Sequence, residues 1–400
     1  MNHLAKETRL LFWALLSNFV LFGVTLTIIG ATIPEIIRGF HWSYTVTGIV
    51  LASGSVGYFS SSFLSGFLIK KFGSKRILVG GLLLEAIGLL LFARHPSALF
   101  NLSLTFLLGV GQGGTETVTN VSVIQMEKKG GSRLMNLMHA AFCVGAIIGP
   151  FITGMLIATL PSSGGVGVGW RVAYRLSSSA CFLMGVLFLF LSFAHIRQEK
   201  LATQGGGKTL GILFNPLLAL LFLVLFLYVG AELGVSSWVA EYYVKILGTP
   251  SSVGAYIVSL FWAGLLLGRL SISLWYKERS LSVLLIFLAS LCTIALLCAV
   301  SVKNPWLAGF SFFMAGLGYS AIYPVVMALV GQHFQRGQSV AVGFVAMGGG
   351  VGSFMFPFLM AFISDHFGLR KGFLFYVGVD ALMVALTVVV KWSILTKEPG

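Results

Sequence analysis

Long apolar runs follow one another along this chain, separated by short polar clusters. The runs are apolar on every face: Leu281 to Ser301 contains no charged residue. A spanning helix needs roughly 20 predominantly apolar residues, and cutting at the polar clusters predicts twelve of them, at 11–36, 43–69, 76–93, 98–125, 134–160, 173–196, 213–244, 252–276, 281–301, 305–332, 338–364 and 372–395. A barrel strand would instead alternate apolar and polar positions over about 10 residues. Continuous apolar runs require every backbone hydrogen bond to be closed inside a helix, so the pattern predicts an all-α membrane protein.

The connection from about Arg197 to Thr209, with Gly205, Gly206 and Gly207, divides the predicted helices six and six and reads as a flexible linker. The expected organisation is an N-terminal half over 1–197, a linker over 198–212 and a C-terminal half over 213–400. Internal repetition supports that division. LLGVGQGGTE (Leu107 to Glu116) has the spacing of MAGLGYSAIY (Met314 to Tyr323), with Gly109 and Gly111 matching Gly316 and Gly318; GAIIGPFITG (Gly145 to Gly154) has a looser counterpart around GGGVGSFMFP (Gly348 to Pro357). Two pseudo-symmetric six-helix halves around a central cavity are the transporter arrangement this implies.

Of the 400 residues 57% are hydrophobic and 10% charged, against about 25% charged in a soluble domain. The net charge of +14 would suggest nucleic acid in a soluble protein, but the basic residues lie between helices with no interleaved aromatic patch, which excludes nucleic acid as a partner. With both termini in the cytoplasm, seventeen Lys and Arg fall on that side and eight opposite, Arg269 lying within a helix. The positive-inside rule favours that orientation, in a cell (inner) membrane. Cys143, Cys181, Cys292 and Cys298 all lie in apolar runs without a CxxC pair or a histidine cluster, so neither disulfides nor a metal is expected; nor is a cofactor. The apolar stretch from Leu10 to about Ile37 is too long for a signal-peptide core and reads as a retained first helix.

The 49 glycines include nothing that fits a phosphate loop, since GVGQGG follows no strand. Small residues along apolar helices let backbones approach closely in lipid. Gly145, Gly149, Pro150 and Gly154 read the same way, with Pro150 marking a bend used in gating. Charged residues inside spans cost about 2.5–3.5 kcal/mol each on insertion scales and mark function; here they are Glu85, Glu116, Glu232, Arg269 and Asp380. Glu116 has Thr115, Thr119 and Asn120 nearby, a polar cluster suited to a hydroxylated ligand and to exchange of a coupling proton. Glu232 could line the cavity from the second half, with Trp238 and Tyr242 offering faces for a sugar ring, or serve only as an interhelical hydrogen-bond partner. Arg269 braces helices, Glu85 and Asp380 take structural roles on peripheral helices, and His139, near Asn136, is a ligand, a titrating group or a hydrogen-bonding one. Trp262 and Tyr256, with Tyr319 and Tyr323, are expected near the centre; Trp42, Trp170, Trp306 and Trp392 are expected in an interfacial belt.

GFLIKKFGSKR (Gly66 to Arg76) resembles the cytoplasmic signature of the major facilitator superfamily, Gly-x3-Asp-Arg-x-Gly-x-Arg, keeping Gly66, Gly73 and the basic cluster that ends at Arg76, while Lys70 stands where the acid is usual and Lys71 where the arginine is. The resemblance covers essentially the whole chain and implies the major facilitator fold. Within it, TETVTN (Thr115 to Asn120) followed by RLMNLMHAAFCVGAIIGP (Arg133 to Pro150) is similar to the fucose permease branch of sugar:proton symporters, whose members carry a helix-four Glu with an Asn four residues later. This implies substrate or proton-coupling roles for Glu116 and Asn120, and places His139 where the permease has a cavity-facing polar side chain. The permease also has an acid in helix one shortly before a proline, where this chain has Gly30 ahead of Pro34, so Glu116 either couples without that partner or the protein is a uniporter.

The expected function is therefore a monomeric secondary active transporter for a small polar solute, a sugar or related compound, working by alternating access and coupled through Glu116 to protons, with sodium as the other candidate ion. Export of amphipathic drugs or lipids is the alternative. A membrane-embedded enzyme would need a nucleophile with a base or clustered metal ligands, and none of the seven histidines pairs with acids in that way.

Overall fold

A computed structural model of the chain describes residues 6–92, 94–127, 133–160, 162–163, 166–193, 210–275, 280–335 and 337–395. Most of the expected linker, including Gly205 to Gly207, lies outside the described residues. The chain forms two compact units, Met1–Ala202 and Thr203–Gly400. The first holds α1 (Lys6–Phe40), α2 (Tyr44–Phe72), α3 (Ser74–Leu91), α4 (Ala98–Met126), α5 (Arg133–Thr159) and α6 (Gly169–Phe190), with a short antiparallel pairing of Ser162–Ser163 and Val166–Gly167 before α6. The second holds a short 3-10 turn (Leu210–Phe214), α7 (Pro216–Leu247), α8 (Ser251–Trp275), α9 (Leu281–Ser301), α10 (Pro305–Tyr319), α11 (Ile322–His333), α12 (Gln338–Phe367) and α13 (Leu369–Leu395).

All twelve expected spans are present, and the tenth is broken into α10 and α11 at Ser320 and Ala321. The cause is Pro324, which has no amide hydrogen to give the carbonyl four residues earlier, that of Ser320. Arg269 on α8 supplies the missing donor, its Nε lying 2.9 Å from Ser320 O. Other helix ends are set locally. Ser43 and Ser97 accept from backbone amides at the starts of α2 and α4. Asn215 and Asn304 do the same ahead of Pro216 and Pro305, the first residues of α7 and α10. Glu127 Oε2 accepts from the amides of Leu134 (2.6 Å) and Met135, tying the end of α4 to the positive start of α5. Gly73, between α2 and α3, has φ 82°, which a side chain would strain.

Among the described residues nine helices are long and apolar enough to cross a membrane on composition alone; α2, α3 and α4 fall short of that measure. The polar residues that lower α2 and α4 lie along the faces these helices turn to each other. Ser53 Oγ and Thr105 Oγ1 are 2.6 Å apart across them, and Thr105 also bonds Val50 O. Glycines make this closeness possible. A β-carbon built on Gly109 would lie 1.9 Å from Gly54 O, one on Gly57 would lie 2.2 Å from Phe106 O, and one on Gly113 would lie 2.3 Å from Tyr58 O. The second unit repeats the design: Gly264 would meet Phe313 O at 2.1 Å and Gly316 would meet Phe261 O at 2.1 Å, each position related to its counterpart by the step that takes Gly109 to Gly316.

The tryptophan belt is only half present. Trp306 and Trp392 are 88% and 68% exposed, but Trp42 and Trp170 are buried. Trp42 donates to Pro96 O, and Trp170 packs edge-on to Tyr174 and Phe40, so these two serve the interior of the first unit.

Gly109→Ala is expected to lower the melting temperature of the purified protein by the equivalent of about 1–3 kcal/mol of overpacking. Gly80→Ala, where nothing lies within 4 Å of the added carbon, is expected to leave it unchanged or slightly raised; equal shifts would contradict glycine-dependent packing.

Candidate functional site

The α2–α4 contact sets the geometry of the first unit's polar centre. With Gly113 against the backbone of Tyr58, the tyrosine hydroxyl reaches across and donates to Glu116 Oε2. Glu116 Oε1 is 3.5 Å from Asn120 Nδ2, one turn further along α4. Glu116 and Asn120 are partly exposed, yet Asn120 Oδ1 is enclosed and has no hydrogen-bond partner. The group therefore combines a carboxylate, a phenol and an open amide acceptor, which suits a ligand rich in hydroxyls. Tyr58 did not emerge from the sequence; the signal that finds it is its place one turn after Gly54 on the helix that faces Gly109 and Gly113.

A second carboxyl lies deeper. Glu85 on α3 is buried and accepts from Thr115 Oγ1 at 2.8 Å, with Cys181 Sγ of α6 at 4.0 Å. Gln112 Nε2 bonds Thr25 Oγ1 of α1 at 3.2 Å. Thr115, the residue before Glu116 in the chain, thus ties Glu85 to α4. On α5, Asn136 and His139 are exposed, and the His139 ring stands edge-on to Phe19 at 6.2 Å. Gly149 packs on Val24 of α1, its added β-carbon 3.0 Å from Val24 Cα, and Pro150 lies inside α5. Gly66 is half-buried and Arg76 exposed. Glu35, which directly follows Pro34, accepts from the Gly167 amide at 3.1 Å and pairs with Arg38; it is fastened to the hairpin before α6.

The second unit gathers its charges around the broken span. Glu232 on α7 faces Tyr228 and Arg269, while Arg269 also holds Ser320 O. Tyr319 OH donates to Asp380 Oδ2 at 2.6 Å, and Asp380 is fully buried. Trp262 Nε1 donates to Ser236 Oγ at 2.7 Å. The aromatic residues expected to offer open faces are packed in their own unit. Trp238, Tyr242 and Tyr319 have no exposed surface, and Tyr242 is covered by Phe373 (4.6 Å) and Phe312 (5.9 Å). Tyr323 is the exposed one, at 39%.

The profile of the Major Facilitator Superfamily matches residues 15–341 and 280–399. The chain belongs to the Major Facilitator Superfamily. It is an integral membrane transporter, not an enzyme. As a superfamily member it is similar to a Brucella abortus glucose/galactose transporter, 25% identical over 371 residues covering 89% of this chain and 88% of the relative. It is also similar to the mouse sodium-dependent glucose transporter 1A, 22% identical over 379 residues covering 87% and 88%. In fold it is similar to the E. coli fucose:proton symporter, with TM-score 0.66 and 19% identity over 96% of this chain and 99% of that one.

Arg269→Gln leaves Ser320 O without its guanidinium donor and takes a cation from the neighbourhood of Glu232; losing a hydrogen bond from a charged group costs about 1.5–3 kcal/mol. The double variant Arg269→Gln/Glu232→Gln is expected to recover part of the lost thermal stability. Additive losses would show that the two side chains act independently.

Proposed function

We propose that the chain is a sugar:proton symporter in which Glu116, Tyr58 and Asn120 form the coupling and solute-contact centre. The observation that carries this reading is the enclosed, unpartnered Oδ1 of Asn120 beside a carboxyl held by Tyr58. A sugar hydroxyl donates to that oxygen, and other hydroxyls accept from the Asn120 amide or donate to Glu116. The activities of the relatives, glucose, galactose and fucose transport, support a hydroxylated hexose-like solute.

In this reading the carrier works by alternating access, with Pro150 and Gly149 in the bending helix α5 and the Gly66 to Arg76 segment, where α2 gives way to α3 at Gly73, controlling the swing. Reorientation of an empty carrier with an ionised Glu116 is opposed by the cost of an unpaired charge in a low-dielectric interior. Binding of a proton and solute together removes the charge and shifts the population toward the state that can turn. Asn136 and His139 are assigned to the same solute path and the exposed Tyr323 to its second-half counterpart, behind which Glu232, Trp238, Tyr242, Trp262 and Tyr319 lie buried. There Arg269 and the buried rings set shape more than direct contact. The carrier acts as a monomer in the cytoplasmic membrane with both termini in the cytoplasm. Proton rather than sodium coupling is favoured because the Glu116 centre offers few hard oxygen ligands and includes two hydrogen-bond donors; the amphipath-export alternative fits this polar centre poorly.

Proteoliposomes carrying Glu116→Gln are expected to lose gradient-driven accumulation of D-galactose or D-glucose while keeping solute exchange. Intact accumulation by that variant would refute the coupling role, and accumulation that follows an imposed sodium gradient but not a proton gradient would overturn the choice of ion.

A further inference from the structure

At the far end of the first unit from Lys6, where α3 ends and α6 begins, lies a cavity of about 290 Å³ lined by Arg94, Arg171, Arg175, Tyr174, Leu90 and Phe92. No acidic residue lines it, and among the described residues the ion pair in this unit, Arg38 with Glu35, lies elsewhere. Among the described residues Arg94 spends only its Nε, on Leu90 O at 3.0 Å, and Arg171 stacks over Trp170 at 5.1 Å. Both keep terminal guanidinium nitrogens for another partner. The floor supplies no counter-charge: Tyr174 stacks against Phe92 at 5.1 Å and its hydroxyl is taken by Thr32 Oγ1 at 2.8 Å. Three arginines converging on an acid-free cavity call for an anion with several oxygens, and the guanidinium fork matches phosphate.

The surroundings say which phosphate. Leu90, itself a lining residue, ends a line of exposed side chains on α3 formed by Leu83, Ile87 and Leu90, at 38%, 45% and 42%. On the face of α6 that carries Arg171 and Arg175, Phe182 and Leu189 follow at 51% and 53% exposed. Their helical spacing puts each set on one face, and α3 and α6 pack against each other. Two apolar tracks thus run from a cationic cavity at the membrane surface into the hydrocarbon, as an acidic headgroup above two acyl chains requires. We propose that Arg94, Arg171 and Arg175 bind the phosphate of an anionic phospholipid, with its acyl chains along the exposed stripes of α3 and α6. The site also accounts for three arginines on the side of the membrane where the positive-inside rule disfavours them: the bound headgroup neutralises them. The inference is independent of the solute and of the coupling ion.

The full-length protein, delipidated in detergent, is titrated with phosphatidylglycerol, phosphatidylcholine and inorganic phosphate, reading bound lipid by native mass spectrometry and melting temperature in parallel. Phosphatidylglycerol is expected to form a one-lipid adduct and raise the melting temperature, phosphatidylcholine to do neither at the same concentration, and phosphate alone to do neither. Each of Arg94→Gln, Arg171→Gln and Arg175→Gln is expected to weaken the lipid about fivefold, the effect of one interfacial charge. Wild-type melting of the lipid-free single variants shows that they remain folded, and Leu90→Ser, which keeps all three arginines, is expected to weaken the lipid without affecting any anion. Undiminished lipid binding in the three arginine variants would overturn the site. Stabilisation by inorganic phosphate equal to that by lipid, unaffected by Leu90→Ser, would overturn the lipid and leave a free-anion site.

Discussion

Backbone contact between helices is the constraint on which both units rest. Lipid gives apolar side chains no reason to leave it, so helices in a bilayer associate through close packing and polar contacts, and closeness requires the β-carbon to be missing where the backbones meet. A β-carbon at Gly145 would lie 1.8 Å from Val20 O and one at Gly352 would lie 2.0 Å from Phe226 O, so α1 with α5 and α7 with α12 meet as α2 does with α4. These contacts fix helix rotation, and rotation decides which side chains meet. Tyr58 reaches Glu116 because Gly54, Gly57, Gly109 and Gly113 hold α2 and α4 backbone to backbone.

The same framework is furnished differently in the two halves. The step from Gly109 to Gly316 takes Thr25 to Glu232, Glu85 to Cys292 and Gln112 to Tyr319. In the first unit the buried acid stands on α3 and meets a thiol of α6, Cys181. In the second the thiol stands on α9, and the acid, Asp380, on α13. The step also takes Tyr58 to Leu265, Glu116 to Tyr323 and Asn120 to Met327, so the Tyr58–Glu116–Asn120 centre has no copy in the second unit. That unit instead spends its polar groups on a span broken by Pro324 and mended by Arg269. The first half carries an open polar centre; the second is braced around its own buried charges.

The spans and their glycine pairing were legible because both are written in local spacing: apolar runs give length, and Gly109, Gly111, Gly316 and Gly318 give the repeat. Glu116 and Asn120 were visible as a polar group one turn apart. Tyr58 was hidden because its relevance depends on which face of α2 meets α4, a property shared between two helices. The break at Ser320 was hidden for a similar reason, since Pro324 only frees a carbonyl and the donor that stabilises the break comes from another helix. The tryptophans and tyrosines are hidden from sequence where position along a span stands in for direction: Trp170, Trp238 and Tyr242 are fully buried, their rings turned into their own unit.

The most direct test of the central claim is the number of protons exchanged when solute binds. Purified protein in weakly buffered detergent, held at constant pH, is given D-galactose or D-glucose while the acid or base needed to hold the pH is recorded. The account predicts net proton uptake with sugar in the wild type and none in Glu116→Gln, even where that variant still binds the sugar. The same proton uptake in both proteins would contradict it and would place the coupling group elsewhere in the chain.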